Sequence, residues 1–146
     1  MAIALACDHG AFALKEKLKA HLLEGGYQVE DFGTHSTESC DYPELAVLAA
    51  RAVASGQCEL GIVLCTTGIG VSIAANKVRG IRCALCTDPL MAEMTRRHND
   101  TNMLALGAGI TGDRLALRIA DTWLNTGYEG GRHQRRIDQI AALEQE

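Results

Sequence analysis

The chain has 146 residues, enough for one domain with a single core. Its residues are 47% hydrophobic and 22% charged, as in an ordinary globular protein. A net charge of −4 argues against nucleic acid or an acidic membrane as the main partner, and no apolar run reaches the ~18 residues that a membrane helix needs. The N-terminal segment MAIALACDHG has no basic n-region and turns polar at Asp8. It therefore does not predict a signal peptide, and the expected compartment is the cytoplasm.

Five short apolar segments alternate with helical patterns along the chain. The predicted strands are Ile3–Cys7, Gln28–Phe32, Leu60–Cys65, Ile81–Cys86 and Asn102–Gly107. The predicted helices are Phe12–Glu24, Pro43–Ser55, Ile69–Val78, Pro89–Arg97, one capped by Thr111 that reaches Asn125, and a last one from Arg132. Strands and helices that alternate at this spacing form a parallel sheet covered on both faces. The sequence therefore predicts one three-layer α/β/α Rossmann-like domain over residues 1–146, with a five-stranded parallel sheet and a C-terminal helix.

Ligands of parallel α/β sheets bind beyond the carboxyl ends of the strands. This rule selects four groups of residues, namely Asp8–Gly10, Cys65–Gly70, Thr87–Asp88 and Gly107–Gly109. The polar run His98–Asp100 comes before the fifth strand instead. Chain order therefore places that run at the opposite edge of the sheet or out toward a partner.

A glycine-rich turn, TGIGVS, follows the third predicted strand. It is not a dinucleotide fingerprint, because Ile73 stands where the third glycine belongs, and it lacks the Gly-Lys-Ser/Thr of a phosphate-binding Walker loop. Bare amides at a helix N-terminus form an anion site, and such a field favours the thiolate form of the neighbouring Cys65. A cysteine here also fits a packed strand end. As a reactive group it suits attack on a carbonyl or removal of a proton next to one.

Other polar residues support a functional interpretation of this turn. Asp8, His9 and His98 can exchange protons near neutral pH. Arg132 and Arg136, four residues apart on a predicted helix, present two guanidinium groups on one face, as a phosphate clamp does. The same basic run, RHQRR, also fits a solvated helix face.

The six cysteines include one Cys-x-x-Cys spacing, Cys83 to Cys86. That spacing falls in a predicted strand, where residues three apart point to opposite faces, and no second pair completes a zinc set. We predict buried structural thiols here, and no metal site.

Several long motifs resemble one family across essentially the whole chain: CDHGAFALK, the DYP at 41–43, CTTGIGVSIAANKVRGIR, RRHNDTNMLALG and YEGGRHQRRI. They are similar to those of the type B ribose-5-phosphate isomerases, whose wider family includes galactose-6-phosphate isomerase subunits and allose-6-phosphate isomerases. The resemblance implies interconversion of an aldose phosphate and its ketose phosphate through a cis-enediolate, with neither metal nor cofactor. Ribose 5-phosphate and ribulose 5-phosphate, of the pentose phosphate pathway, are the substrates it implies first.

The resemblance also implies a role for each matching residue. Cys65 is the base that moves a proton between C2 and C1, and Thr67 with the amides of Gly68 to Gly70 binds the enediolate oxygens. His98, with Asp8, opens the furanose ring. The remaining substrate contacts it implies are Asn99 to the sugar hydroxyls, Tyr42 lining the pocket, and His9, Arg132 and Arg136 on the phosphate. It further implies a homodimer with shared active sites, and leaves open a tetramer and which subunit supplies each arginine.

Three positions qualify this assignment. Val71 occupies the place where one branch of the family has a glutamate base, which leaves Cys65 as the candidate base. Thr66 stands where the cysteine-type enzymes commonly have glycine, and Gly109 where members usually carry a phosphate-binding arginine. Allose 6-phosphate, galactose 6-phosphate or a tetrose phosphate therefore stay open as substrates. So do a non-catalytic sugar-phosphate-binding subunit and an acyl-transfer enzyme with Cys65 as nucleophile.

Overall fold

A parallel sheet of five strands in the order β2-β1-β3-β5-β4 runs through the structure, a computed structural model that describes residues 1–146. Its strands are β1 (Ala2–Cys7), β2 (Gln28–Asp31), β3 (Leu60–Cys65), β4 (Cys83–Leu85) and β5 (Met103–Gly107). Its α-helices are α1 (Phe12–Glu24), α2 (Tyr42–Ala54), α3 (Ile69–Asn76), α4 (Pro89–Asn99), α5 (Asp113–Leu124) and α6 (His133–Leu143). This confirms the predicted α/β Rossmann-like fold with its C-terminal helix. None of the helices has the length and apolar character needed to cross a lipid bilayer.

The predicted element boundaries are wrong at a few ends. The sequence predicts a fourth strand over Ile81–Cys86, but only Cys83–Leu85 pair with β5. This strand lies at the edge of the sheet and has a single neighbour to bond. α3 stops two residues early, where the amides of Lys77 and Val78 turn back to carbonyls three residues before them. Thr111 is buried and does not cap α5, which begins after Gly112.

The sheet is apolar on both faces, as its doubly covered central strands require. Alternate residues of β3 enter separate layers, with Ile62 and Leu64 facing one set of helices and Val63 and Cys65 the other. The first layer includes the α1 stripe Leu14, Leu18 and Leu22 and the fully buried Trp123 of α5. The second layer is rich in alanine from α2, namely Ala46, Ala49, Ala50 and Ala52, so that helix can pack close to the strands.

The carboxyl ends of the three central strands are aligned and tied together. Cys7 pairs with Leu64, and Cys65 pairs with Gly107. Beyond the strands, the Ala108 amide donates to the Cys65 carbonyl at 2.9 Å, and the Gly109 amide donates to the Thr66 carbonyl at 2.8 Å. The turns after β1, β3 and β5 therefore form one connected surface.

Candidate active site

An open hollow of about 440 Å³ lies at this surface. It is lined by Asp8, Tyr42, Cys65, Thr66, Thr67, Ile69, Gly70 and Ile73. Three parts of the chain thus meet at one place: the end of β1, the start of α2, and the turn from β3 into α3. The glycine-rich turn and the sequence-selected Asp8 do lie together, as the strand-end rule predicts.

Cys65 ends β3 at the floor of this hollow. It is 6% exposed, and its Sγ accepts a hydrogen bond from the Gly68 amide at 3.1 Å. Gly68 has φ +77°, and a Cβ there would lie 2.5 Å from Leu85 Cδ1, so only glycine fits the turn that aims this amide at the sulfur. The turn thus presents a main-chain N–H directly to the sulfur.

The next two amides of the turn behave differently from that of Gly68. The Ile69 amide donates to Thr67 Oγ1 at 3.3 Å, whereas the Gly70 amide has no acceptor in the chain. Gly70 lies in the first turn of α3, where amides have no helical partner and the helix dipole is positive. The hollow therefore offers a free amide for an oxyanion close to the sulfur.

Two further residues border the turn after β1 and the start of α2. Asp8 is 8% exposed, and its Oδ1 accepts the Gly10 amide at 3.0 Å, which caps a short 3₁₀ turn, His9–Ala11. His9 Nδ1 accepts the Cys40 amide at 3.2 Å, so the neutral ring carries its proton on Nε2. His9 therefore presents an N–H donor away from Cys40, although it is not among the residues lining the hollow.

A second hollow, of about 600 Å³, lies between the end of α4 and the start of α6. It is lined by His98, Asn99, Arg132, His133, Arg136, Ile137 and Ile140. The His98 and His133 rings stack with centroids 4.3 Å apart and planes 14° apart. The Glu129 carboxylate lies 4.0 Å from His98 Nε2 and 3.6 Å from His133 Nε2. Four predicted site residues, His98, Asn99, Arg132 and Arg136, thus meet here, away from Cys65.

The sequence analysis did not single out Glu129 or His133. His133 is 8% exposed, and its buried Nε2 has no hydrogen-bond partner. His133 lies within the basic run that carries Arg132, and Glu129 comes just before that run, so their closeness in the chain is the signal that could have identified them.

His98, Glu129 and His133 offer potential ligand atoms that all lie within 4.8 Å of one another. An imidazole binds a metal with a lone pair in the plane of its ring, at about 2.0–2.1 Å for zinc. Because the two stacked rings lie in nearly parallel planes, no metal position close to both rings lies in the planes of both. As arranged, the cluster suits proton transfer by a histidine beside a carboxylate better than metal binding.

The other polar groups selected from the sequence have structural roles. The Asp88 carboxylate accepts the Met91 amide at 2.9 Å and caps α4. All six cysteines are free thiols. Burial raises the pKa of both Cys83 and Cys86 to about 12, as expected for inert structural thiols.

A central strand delivers a cysteine into an amide-rich turn, and a hollow with histidines and arginines lies elsewhere on the same chain. Such groups suit small phosphorylated carbonyl compounds. Residues 3–140 match the family described as Ribose/Galactose Isomerase, and the chain belongs to that family. The resemblance to the type B ribose-5-phosphate isomerases is confirmed, and the chain is an isomerase.

Individual relatives are similar over their whole length. The chain is 52% identical to ribose-5-phosphate isomerase B of Escherichia coli strain K12, over 98% of this chain and 96% of that protein. It is 46% identical to a putative sugar phosphate isomerase of Bacillus subtilis strain 168, over 99% of this chain and 98% of that protein. Among solved structures, Clostridium thermocellum ribose-5-phosphate isomerase B matches with TM-score 0.98 and 52% identity, over 99% of this chain and 98% of that one. The structure of Mycoplasma genitalium ribose-5-phosphate isomerase B with bound ribulose-5-phosphate matches with TM-score 0.96 and 39% identity, over 99% of this chain and 97% of that one.

Proposed function

We propose that this chain interconverts ribose 5-phosphate and ribulose 5-phosphate, by a metal-independent route in which Cys65 is the base. The observation that carries the proposal is the position of the Cys65 sulfur. It lines an open hollow, accepts the Gly68 amide at 3.1 Å and lies in the same turn as the free Gly70 amide. We expect the reaction to take place in the cytoplasm, a reducing compartment that suits six free thiols.

The chemistry follows from these groups. The Cys65 thiolate removes the proton from C2 of the open-chain aldose, and the electron pair moves onto the C1 carbonyl oxygen to form a cis-enediolate. The Gly70 amide and the Thr67 hydroxyl hold the negative oxygen, which is the charge that develops in the transition state. The thiol then returns the proton to C1, and the hydroxyl proton passes from O2 to O1. Atoms and electrons balance without an oxidant, a reductant or a metal.

The rest of the reaction needs groups from the second hollow. The cyclic aldose has no free carbonyl, so a proton must first reach the ring oxygen, and His98 beside Glu129 is the candidate donor. Arg132 and Arg136 would bind the phosphate, and Asn99 the sugar hydroxyls. The N–H of His9 would add a further phosphate contact on the Cys65 side.

We infer that each complete site combines the Cys65 hollow of one subunit with the His98 hollow of another. The two hollows share no lining residue, so neither alone supplies both ring opening and proton transfer. Their borders carry exposed apolar side chains, with Ile69 51%, Ile73 56% and Ile140 46% exposed. Apolar residues exposed next to polar groups are typical of a protein contact surface. A symmetric homodimer provides two such combined sites.

The base is tested with Cys65→Ala in an assay of ketose formation from four-, five- and six-carbon aldose phosphates. We expect ribose 5-phosphate to be the best substrate, with chelators having no effect. Cys65→Ala should lower kcat by about 10²–10⁴-fold, the usual contribution of a general base, and abolish deuterium exchange at C2. Cys40→Ala is the matched control, because it keeps the main-chain bond to His9 at 3.2 Å and removes only a long contact from Sγ at 3.8 Å. Unchanged turnover in Cys65→Ala would exclude the cysteine base, and binding without turnover by the wild type would indicate a non-catalytic subunit.

The shared site is tested by mixing Cys65→Ala with His98→Ala under conditions that exchange subunits. Half of the resulting dimers carry both variants, and each of these has one intact site, so activity should return to about a quarter of wild type. No recovery would place Cys65 and His98 of one chain in the same site. Erythrose 4-phosphate separates the two roles, because its phosphorylated O4 prevents ring closure. His98→Ala should spare this substrate, whereas Cys65→Ala should not.

A further inference from the structure

The side chain of Thr66 lies between two glycines on the wall of the Cys65 hollow. A Cβ at Gly10, in the turn after β1, would lie 2.4 Å from Thr66 Oγ1. A Cβ at Gly109, in the turn after β5, would lie 2.9 Å from Thr66 Cγ2. Both distances are too short for real atoms, so the threonine side chain and side chains at these two positions exclude one another.

The backbone itself does not require glycine at either place. Gly10 and Gly109 lie outside the left-handed φ region, unlike Gly68 with φ +77°. The Gly109 amide is also bonded to the Thr66 carbonyl at 2.8 Å, which fixes the distance between the two turns. The two positions that depart from the family pattern, Thr66 and Gly109, are therefore one steric change rather than two.

We propose that Thr66 and Gly109 act as one specificity unit that limits the length of the sugar phosphate next to Cys65. This inference rests on the proposed function. Thr66 follows the base directly in the chain and lines the same hollow. Its methyl and hydroxyl fill the space where a side chain at Gly10 or Gly109 would stand, and so narrow the hollow beside the base. The unit favours five-carbon and shorter aldose phosphates over six-carbon ones.

The test compares kcat/KM for allose 6-phosphate and ribose 5-phosphate in wild type, Thr66→Gly, Thr66→Ser and Gly109→Ala, and in the double variant of Thr66→Gly with Gly109→Ala. A hydrophobic-pocket methylene is worth roughly 10–200-fold in discrimination. We therefore expect Thr66→Gly to raise the six-carbon to five-carbon ratio by at least about tenfold, and Thr66→Ser to raise it less. Gly109→Ala should lower activity more in the Thr66 background than in the Thr66→Gly background, where only the Thr66 carbonyl oxygen, 3.1 Å from the added Cβ, remains close.

An unchanged ratio in Thr66→Gly would overturn the length limit, and equal effects of Gly109→Ala in both backgrounds would overturn the steric coupling. Thr66→Ala keeps a Cβ and replaces Thr66→Gly if the added backbone freedom prevents folding. Gly127→Ala is the matched glycine control, since nothing lies within 4 Å of a Cβ there. A wild-type chain that converts no sugar phosphate would contradict the proposed function, whereas a wild type that is active with an unchanged ratio would contradict only this inference.

Discussion

The ion pair between Lys15 and Asp31 allows a quantitative test of what holds the sheet edge in place. Lys15 is 0% exposed, and its Nζ donates to both Asp31 carboxylate oxygens, at 2.9 and 2.7 Å, and to the Thr34 carbonyl at 2.7 Å. Burial raises the pKa of Asp31, but hydrogen bonds from Lys15, the Gly33 amide and Lys19 outweigh it and set the pKa below its usual value.

Asp31→Asn should remove the buried counter-charge of the Lys15 ammonium and leave only the half-exposed Glu16 carboxylate, 3.3 Å from Nζ. Removing one partner of a buried pair costs roughly 3–5 kcal/mol. The Thr34 carbonyl remains and the asparagine oxygen can accept one bond, so we expect the lower end, about 3 kcal/mol of unfolding free energy. For a chain of this size that is a fall of roughly 6–12 °C in Tm.

The pH dependence has a definite sign. Because the folded carboxylate has the lower pKa, its contribution is complete above the unfolded value near ~3.9 and is lost as pH falls through the folded pKa. Denaturant titrations of wild type and Asp31→Asn should therefore differ by a constant amount from pH 7 to about 5, and the difference should shrink only below about pH 4.

The matched control is Asp113→Asn, which removes an exposed pair with Lys17 whose side chains are 47% and 60% exposed. Such surface pairs contribute about 0–1 kcal/mol. The reasoning fails if Asp31→Asn destabilises no more than this control, or if the difference already shrinks near neutral pH.

Two further predictions concern the turn after β3 and the Cys-x-x-Cys spacing. A Cβ at Gly107 would lie 2.5 Å from the Thr67 carbonyl carbon and oxygen. Gly107→Ala should therefore lower the free energy of unfolding by about 2–3 kcal/mol, measured by denaturant titration, whereas Gly127→Ala should change it by no more than about 0.5 kcal/mol. Equal losses would contradict the close packing of the two turns. The pKa values of Cys83 and Cys86 are raised to about 12, so both thiols should resist iodoacetamide in the folded protein at pH 8. They should react only after unfolding, which mass spectrometry can measure. Fast labelling of either thiol in the folded protein would contradict their structural role.

The strand and helix order could be predicted from sequence because the central strands are buried on both faces and read as short apolar runs. The length of β4 could not. Ile81 and Cys86 are 3% and 1% exposed, so they carry the apolar pattern of a strand, but they are buried by side-chain packing outside the paired residues. An apolar pattern indicates which residues are buried, whereas the length of a strand depends on how many of its residues pair with the neighbouring strand.

The two halves of the candidate site differ in how far sequence could predict them. The Cys65 hollow follows from topology, since the ends of adjacent parallel strands must meet. The His98 hollow depends on a contact between the end of α4 and the segment around His133, which lie 35 positions apart in the chain with a strand and a helix between them. No periodic pattern encodes such a contact. Residue type and spacing selected His98, Arg132 and Arg136 one by one, and only the family resemblance implied that they act together.

The glycines of the turn explain why a thiol stands where the backbone is barest. Gly68 turns its amide onto the Cys65 sulfur, Gly70 lies directly beneath the Tyr42 ring, where a Cβ would be 2.5 Å from Cζ, and Gly107 lets Thr67 rest on the end of β5. Each absent side chain brings a wall of the hollow close to the sulfur. A dinucleotide fingerprint places its third glycine where the helix packs on the strand, but Ile73 is 56% exposed and lies on the rim of the hollow. The bare turn thus leaves an open hollow beside the sulfur, and it departs from the nucleotide motif because Ile73 borders that hollow and does not pack on the strand.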